Sequence, residues 1–328
     1  MLRWFRDPGE LASFADGIVP LQRLCETHIE RQPEITGYCH VCDAMRAFGV
    51  SGYGSFGDQP NLREGLVCRG CGLSNRNRLL MATILAEREW EAGAPMLTFE
   101  RLTTLHDQLS QRFPGLIGTE YLGGDAAPGA WKAIYGVDVR HESITGASFA
   151  TGSFDLVVHN DVLEHVFDYR AALSECFRLL APGGVMIFTT PVFIRLPGNQ
   201  LKATLNADGS VTHHAEPEYH GDPLNPQGAL TFHHFAWPLV ADITAAGFTD
   251  AELGVHYDAL CGLVSNNHPD FGHGNMLPIV LRGRKPASAW DRRRREITRA
   301  WRSLGRLIRL EGRAGPAQSP SRQMYATP

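Results

Sequence analysis

Four cysteines stand in two C-x-x-C pairs within the first quarter of the 328-residue chain. The first pair is Cys39 and Cys42, and the second is Cys68 and Cys71. Each pair can place two thiolates on one metal ion, and two such pairs complete the tetrahedral set that holds structural zinc. A redox motif needs only one pair, and unrelated buried cysteines have no reason to occur in pairs. The spacing therefore predicts a structural Zn²⁺ site without an open coordination position.

Histidines form a second group of reactive side chains, between residues 213 and 234. A histidine side chain is matched to proton transfer near neutral pH, because its ordinary pKa is about 6.5. The same density of histidines could hold a second metal ion. The spacing of His213, His214, His220, His233 and His234 does not match a compact pair of ligands on one helix, so we favour proton transfer and leave a catalytic metal as the alternative.

These side chains must be positioned by an α/β framework. From about residue 83, short apolar strands alternate with helical patterns, as in the strand FDLVVHN at 154–160 and the strand VMIFTT at 185–190. Such alternation predicts βαβ units and a doubly wound, mostly parallel Rossmann-like sheet. The predicted domains are a helical lead-in at 1–33 that Pro20 breaks or bends, the cysteine module at 34–82, the α/β domain at 83–285 with an irregular insertion at about 191–230, and a basic tail at 286–328.

Two consecutive stretches carry a family resemblance. The strings SFDLVVHNDVLEHV at 153–166 and AALSECFRLLAPGGVMIFTTP at 171–191 resemble the fourth-strand to fifth-strand region of class I S-adenosylmethionine-dependent methyltransferases. The paired cysteines, the Arg-rich stretch at 75–78 and the segments 217–223 and 235–237 are similar to a bacterial subgroup of that family. The resemblance implies S-adenosylmethionine as the methyl donor and covers about residues 38–285.

The resemblance also implies a set of donor-binding residues. Glu120 would accept hydrogen bonds from the ribose hydroxyls, Glu142 and Ser143 would face the adenine, and Glu100 would hold the amino group of the donor. Glu120 and Glu142 could instead be surface carboxylates at strand ends. The full predicted set is Thr98, Phe99, Glu100, Glu120, Tyr121, Glu142, Ser143, Asn160 and Asp161.

The implied reaction is methyl transfer to an oxygen or nitrogen nucleophile of a small-molecule or glycan-linked acceptor. A proton must leave that nucleophile, and we favour His220 as its acceptor, with Tyr219 positioning the substrate and His165 as the second possibility. His165 could instead simply pack beside a helix. A catalytically inactive relative that binds a partner or nucleic acid is the alternative function, because this chain has no glycine between Ala94 and Gly115, where the family usually carries a Gly-rich loop.

Overall charge and hydropathy limit the remaining classes. A net charge of −4 argues against a general nucleic-acid-binding protein, and no uncharged apolar run reaches the ~20 residues that span a bilayer, so we expect a cytoplasmic protein. The tail is an exception, since its arginines and the spacing of Trp290, Ile297, Trp301, Leu304 and Ile308 predict a basic amphipathic helix followed by a disordered end. That helix could pack on the domain, which we favour, or engage an anionic surface or a partner.

Overall fold

The computed structural model describes residues 1–88, 90–91, 93–270, 274–291 and 293. The chain divides into two compact units, residues 1–286 and residues 287–328. In the second unit, Asp291 and Ser288 exchange hydrogen bonds at the start of a helical turn. The remainder of the predicted basic helix, including Ile297, Trp301, Leu304 and Ile308, lies outside the described residues.

The described part of the chain contains mixed helices and strands. The strands are β1 Arg3–Phe5, β2 Glu34–Cys39, β3 Ala44–Val50, β4 Leu66–Cys68, β5 Met96–Thr98, β6 Leu116–Glu120, β7 Trp131–Ile134, β8 Val137–His141, β9 Phe154–Asn160, β10 Leu180–Thr189, β11 Gln200–Leu201, β12 Ala203–Leu205, β13 Val211–His213, β14 Tyr219–His220, β15 Ala229–Leu230, β16 His233–His234, β17 Thr249–Val255 and β18 Ile279–Arg284. The helices are α1 Pro8–Ile29, α2 Leu62–Gly65, α3 Asn75–Glu87, α4 Thr104–Arg112, α5 Tyr169–Leu179 and α6 Pro238–Ala245, with a 3₁₀ turn at Leu163–His165.

A nine-stranded sheet in the order β1-β17-β18-β10-β9-β5-β6-β8-β7 forms the centre of the first unit. Its five central strands, from β10 to β8, are parallel, and the outer strands pair antiparallel. From β5 the chain builds outward through β6 to β8 and then crosses back to β9, as in doubly wound sheets. The predicted doubly wound fold is thus confirmed.

Two apolar layers cover the two faces of this sheet. Alternate residues of β9 enter opposite layers, since Val157 joins one cluster and Val158 the other. The first cluster includes apolar residues of α1, α5 and α6, and the second those of α3 and α4. The central strands are therefore buried on both faces, which explains their nearly continuous apolar sequences.

The first part of β10, where its pairing with β9 is interrupted between Leu180 and Val185, contains the sequence Pro182-Gly183-Gly184. Gly183 has a φ of 73°, a left-handed conformation that glycine adopts without steric cost. A Cβ on Gly184 would lie 2.8 Å from the carbonyl oxygen of Ala181. Both glycines are therefore required for the chain to re-enter the sheet in this way.

The amino-terminal segment differs from the predicted lead-in. β1 pairs with β17 and extends the large sheet. α1 continues through Pro20, contrary to the predicted break, and its buried side chains lie on both sides of that proline. Leu11 before it and Ile29 after it are both packed into the core, so tertiary contacts offset the loss of one helical hydrogen bond.

The cysteine module forms a three-stranded antiparallel sheet of β2, β3 and β4. Its apolar residues, such as Phe48 and Leu66, belong to the same cluster as Leu80 of α3 and Leu156 of β9. The module therefore shares the core of the large sheet. The insertion at 191–230 carries short antiparallel pairs, β12 with β13 and β14 with β15, and β11 pairs with β16 beyond it.

Candidate functional site

The edge of the sheet where β5 and β9 end is the topological switch point, because consecutive connections depart from there in opposite directions. β5 ends at Thr98, directly before Phe99 and Glu100, and β9 ends at Asn160, directly before Asp161. The structure thus brings five of the predicted donor-binding residues to neighbouring strand ends. Asp161 has a φ of 51°, a left-handed conformation uncommon for residues other than glycine.

Buried polar atoms without partners mark this edge. Glu100 is 5% exposed, and its Oε2 accepts a hydrogen bond from the hydroxyl of Thr103 at 2.8 Å. Within the described residues, Glu100 Oε1 and Thr98 Oγ1 are buried and have no hydrogen-bond partner. Burial raises the pKa of Glu100 to about 7, although the positive charge of Arg76 opposes the rise. Unpaired buried polar atoms are costly, so they indicate groups that a ligand satisfies.

Asp161 and Asn160 are held by arginines from the amino-terminal part of the chain. Both carboxylate oxygens of Asp161 accept from Arg63, at 2.6 and 2.8 Å, and Arg76 donates to Asn160 Oδ1 at 2.5 Å. Burial alone would raise the pKa of Asp161, but the two guanidinium groups outweigh it and lower that pKa well below its usual range. Glu64 accepts from both arginines and completes a buried charge network.

Glu120 lies at the end of β6, beside this edge. Its Oε1 accepts the backbone N–H groups of Arg101 and Leu102, at 2.8 and 2.9 Å. Glu120 therefore fixes the chain that follows Glu100. Burial raises the pKa of Glu120, and these two backbone donors oppose the rise.

Glu142, the residue predicted to face the adenine, has local hydrogen-bond partners. It is 1% exposed, and its oxygens accept from Arg140 Nε at 2.8 Å, Ser148 N at 2.7 Å and Ser148 Oγ at 2.5 Å. These three hydrogen bonds hold the loop after β8 and leave acceptor capacity on the carboxylate, so its place facing the adenine stays a prediction.

Three other predicted residues have different surroundings. Ser143 shares a 2.8 Å hydrogen bond with Thr145, in the same loop as Glu142. Phe99 is buried in an apolar core cluster, and its N–H donates to the carbonyl of Val158. Tyr121 is 59% exposed, with its ring 5.5 Å from that of His141.

A second polar group, at the neighbouring ends of β9 and β10, consists of Glu164, His165 and His220. We call it the EHH cluster. Glu164 Oε1 lies 3.7 Å from both His165 Nε2 and His220 Nδ1, and the two imidazole rings meet edge to face at 4.9 Å. The structure thus brings together the two histidines that were predicted as alternative bases.

The protonation of His220 departs from the simple prediction. Burial lowers the pKa of His220, but the carboxylates of Glu164 and Glu218 outweigh this effect and raise it to about 10. Without a bound metal ion this raised pKa favours the protonated form of His220, which would have to lose that proton before it could accept another. Tyr219 is 53% exposed, and alternation along β14 directs it away from the face that carries His220.

The four paired cysteines converge as their spacing predicts. Their sulfur atoms all lie within 4.8 Å of one another, with Cys39 to Cys71 at 3.8 Å and Cys42 to Cys68 at 3.9 Å. A tetrahedral zinc site with Zn–S bonds of about 2.3 Å separates its sulfurs by about 3.8 Å, so the thiols fit a zinc ion. Gly72 directly after the second pair has a φ of 73°, the conformation expected for this turn.

Comparison with known proteins bears on the region between these sites. Residues 116–188, from β6 to β10, match a family described as "Methyltransferase domain". This part of the chain is therefore similar to that family. The matched region includes β9 and α5, which carry the two strings that resembled class I enzymes.

Several proteins are similar to parts of this chain. A probable S-adenosylmethionine-dependent methyltransferase of Mycolicibacterium smegmatis is 44% identical over 55 residues, which are 17% of this chain and 21% of that protein. A ubiquinone biosynthesis O-methyltransferase of Cereibacter sphaeroides is 36% identical over 120 residues, 33% of this chain and 48% of that protein. The matches thus span less than half of each of these relatives.

One match among solved structures is the S-adenosylmethionine-dependent methyltransferase of Mesorhizobium loti. It is 14% identical, covers 63% of this chain and 98% of its own, and has a TM-score of 0.39.

Among the described residues, no helix is long and apolar enough to cross a lipid bilayer.

The site also contains residues that the sequence reasoning missed. Arg63, Glu64 and Arg76 reach the ends of β5 and β9 from α2 and α3, and Glu164 lies between the two histidines. The Arg-rich stretch at 75–78 was noticed only as part of the resemblance. The signal that could have identified these arginines is the position of the stretch shortly after the second cysteine pair. A metal ion bound by that pair would anchor the segment and so limit where its arginines can lie.

Proposed function

We propose that this protein is an S-adenosylmethionine-dependent methyltransferase that acts on an oxygen or nitrogen nucleophile of a small-molecule or glycan-linked acceptor. The observation that carries the proposal is the pair of unsatisfied buried atoms, Glu100 Oε1 and Thr98 Oγ1, at the switch point of a sheet whose segment 116–188 is similar to methyltransferases. The ubiquinone biosynthesis O-methyltransferases among the relatives are consistent with an oxygen nucleophile.

The donor would occupy the edge of the sheet where β5, β6 and β9 end, which we call the donor edge. Glu100 would accept from its amino group, and Glu120 would offer Oε2 to its ribose hydroxyls while Oε1 continues to hold the neighbouring backbone. Ser143, Tyr121 and Phe99 stay in the proposal as residues beside the adenine and ribose. When bound, the donor supplies an electrophilic methyl group.

The charge network holds the side chains at this edge in place. Arg63 and Arg76 hold Asp161 and Asn160 in one orientation, so that these side chains do not need to reorganise when a ligand binds. A rigid edge favours the in-line approach of acceptor and methyl group that methyl transfer requires.

The EHH cluster would serve the acceptor. A hydroxyl or an ammonium group must lose a proton as it is methylated. Glu164 and His165 lie in the turn Leu163–His165, which follows Asp161 closely in sequence, and Glu164 Oε1 lies 3.7 Å from His220 Nδ1. We propose that this cluster orients the nucleophile and assists the departure of its proton. The exposed Tyr219 could contact only the outer part of a larger acceptor.

The cysteine module would contribute structure. We propose that Cys39, Cys42, Cys68 and Cys71 bind one Zn²⁺ ion, which orders the segments that lead to Arg63 and Arg76. Its thiolates would fill all four coordination positions, so this metal would take no direct part in the reaction.

Donor binding is the decisive test. Isothermal calorimetry with S-adenosylmethionine and S-adenosylhomocysteine should give one site per chain, and mass spectrometry of the purified protein under native conditions should detect either compound when it is retained. A protein that binds neither compound at millimolar concentration would contradict the proposal and favour the alternative of an inactive methyltransferase fold.

A further inference from the structure

The EHH cluster has the arrangement of a metal-binding site as well as that of a proton acceptor. One ligand atom from each of Glu164, His165 and His220 can be chosen so that all three lie within 4.8 Å of one another. Glu164 is fully buried, and its Oε1, which faces both imidazoles, has no hydrogen-bond partner among the described residues. A buried carboxylate oxygen without a partner requires a positive charge or a donor to compensate its desolvation.

The separations fit ligands of one ion better than a hydrogen-bonded pair. Both distances from Glu164 Oε1 to an imidazole nitrogen are 3.7 Å, too long for a hydrogen bond. Two ligands at about 2.0–2.2 Å from one tetrahedral metal lie about 3.4 Å apart, so each carboxylate–imidazole separation is within a few tenths of an ångström of that value. The two imidazole nitrogens lie within 4.8 Å of each other and would move closer on binding.

The remaining atoms of the three side chains are held as metal ligands usually are. His165 Nδ1 lies 2.9 Å from the carbonyl oxygen of Leu230, and His220 Nε2 lies 3.0 Å from Glu218 Oε1. Glu164 Oε2 accepts from Thr190 Oγ1 at 2.9 Å. Each contact leaves the other nitrogen or oxygen directed at the common centre, the pattern of carboxylate or carbonyl support that orients metal-binding histidines.

We propose that Glu164, His165 and His220 bind one divalent transition metal ion of the zinc type, separate from the ion proposed at the four cysteines. Two imidazoles and one carboxylate suit Zn²⁺, Fe²⁺ or Mn²⁺ and are a poor match for the all-oxygen sites of Ca²⁺ and Mg²⁺. Three protein ligands leave a coordination position open, as in catalytic sites.

The open coordination position indicates which class of substrate the site would bind. Resting here on the proposed methyl transfer, we infer that the acceptor presents an oxygen to the metal. A metal ion lowers the pKa of an oxygen ligand, so the acceptor hydroxyl would lose its proton to solvent as it binds. Neither histidine would then need to act as a base.

Metal stoichiometry tests the site independently of activity. The full chain is equilibrated with Zn²⁺, freed of loosely bound metal by gel filtration, and its zinc content per chain is measured. Wild-type protein should hold two equivalents, and Glu164→Gln and His220→Ala should each hold one. His213→Ala, which removes an exposed histidine of the same insertion, is the matched control and should hold two. Circular dichroism and thermal melting verify that each variant is folded, and Glu164→Gln preserves the shape of the side chain if His220→Ala does not fold.

Two results would overturn the proposal: one equivalent in the wild-type protein, or two equivalents in folded Glu164→Gln. Donor binding by calorimetry separates this outcome from failure of the proposed function. A protein that binds the donor and transfers methyl groups but holds a single zinc refutes only the EHH metal site. A protein that holds two zinc ions, loses one in Glu164→Gln and binds no donor refutes only the methyltransferase proposal.

Discussion

At the scale of single residues, the donor edge contains one carboxylate that is paired with arginines and one that has an unpaired oxygen. Asp161 is neutralised by two arginines, whereas Glu100 is buried with one oxygen unpaired and has a pKa of about 7. This contrast assigns different tasks to the two carboxylates. Asp161 is part of the fixed framework, and Glu100 is the group whose charge can respond to a ligand.

Donor affinity should depend on pH through Glu100. Because burial raises its pKa to about 7, the side chain is ionised above that pH and protonated below it. Only the ionised form accepts fully from the donor's ammonium group, so the Kd should rise by up to about tenfold per pH unit below pH 7, with proton release on binding. Calorimetry at pH 6 and pH 8, in buffers of different ionisation enthalpy, measures both effects. Glu100→Gln should bind weakly at both pH values, and an equal wild-type Kd at the two would refute the assignment.

Glu120→Ala should weaken donor binding by about 1–3 kcal/mol, because the ribose hydroxyls lose a charged acceptor. The backbone N–H groups of Arg101 and Leu102 lose their partner as well. Glu120→Gln retains an oxygen for these groups and should therefore lose less affinity. Asp138→Ala, at an exposed position of β8, is the control. Affinities unchanged in both Glu120 variants would show that the ribose carboxylate lies elsewhere.

The histidines of the EHH cluster should affect turnover and leave donor binding unchanged. His220→Ala and His165→Ala each remove one member of the EHH cluster, which assists the departure of the proton directly or through the metal ion proposed there, and we expect each to lower kcat roughly 10²-fold. Steady-state kinetics with a methylatable acceptor and donor calorimetry distinguish the two effects. If only His165→Ala loses activity, His165 carries the role alone. Full activity in both variants would mean that positioning is sufficient for catalysis.

At the scale of elements, the short helix α2 and the start of α3 connect the cysteine module to the donor edge. α2 carries Arg63 between the two cysteine pairs, and Arg76 lies in the first turn of α3, five residues after Cys71. The buried contacts of these arginines with Asp161 and Asn160 require both helices to hold their positions.

Zinc removal should therefore affect the donor site. We expect one tightly bound Zn²⁺ at the four cysteines, and its loss should unfold the module and weaken donor binding, because the arginines no longer reach Asp161. Elemental analysis of freshly reduced protein, chelation and calorimetry measure the sequence of effects. Cys39→Ser should lose this zinc, and Cys25→Ser, outside the cluster, should retain it. Reduced protein without any metal would refute the site.

At the scale of the whole molecule, the chain consists of two units that meet at residue 286 in sequence. The first unit contains the complete large sheet, the cysteine module and both polar sites. Lys285 near its end is anchored, since its ammonium donates to the carbonyls of Phe177 and Leu180 at 2.7 and 2.8 Å.

Removal of residues 286–328 should leave donor binding and methyl transfer to a small acceptor largely unchanged. All the proposed donor and acceptor residues precede this segment, and Lys285 retains its anchoring contacts. Calorimetry and turnover of the shortened protein, compared with the full chain, test the expectation. A truncated protein that melts at the same temperature but no longer binds the donor would place the tail in the active site.

Local patterns in the sequence were sufficient for much of this description. The strand at 154–160 was predicted with its observed bounds, because a buried strand bounded by polar residues has few alternatives. The cysteine pairs identified a group of four because their spacing is itself the geometric signal. Residues 98–100 and 160–161 were predicted from the family resemblance, and the structure brings them to the ends of neighbouring parallel strands.

Only the tertiary structure decided which charges meet. Arg63 and Asp161 are 98 residues apart, and no periodicity relates their positions. Glu142 appeared equivalent to Glu120 in sequence, but in the structure Arg140 and Ser148 donate hydrogen bonds to its oxygens. These contacts depend on how the loop after β8 closes. His165 and His220 were treated as alternatives, whereas the fold places them around one buried carboxylate. Secondary structure follows from the local order of apolar and polar residues, but a site formed by distant segments depends on packing, which local order does not determine.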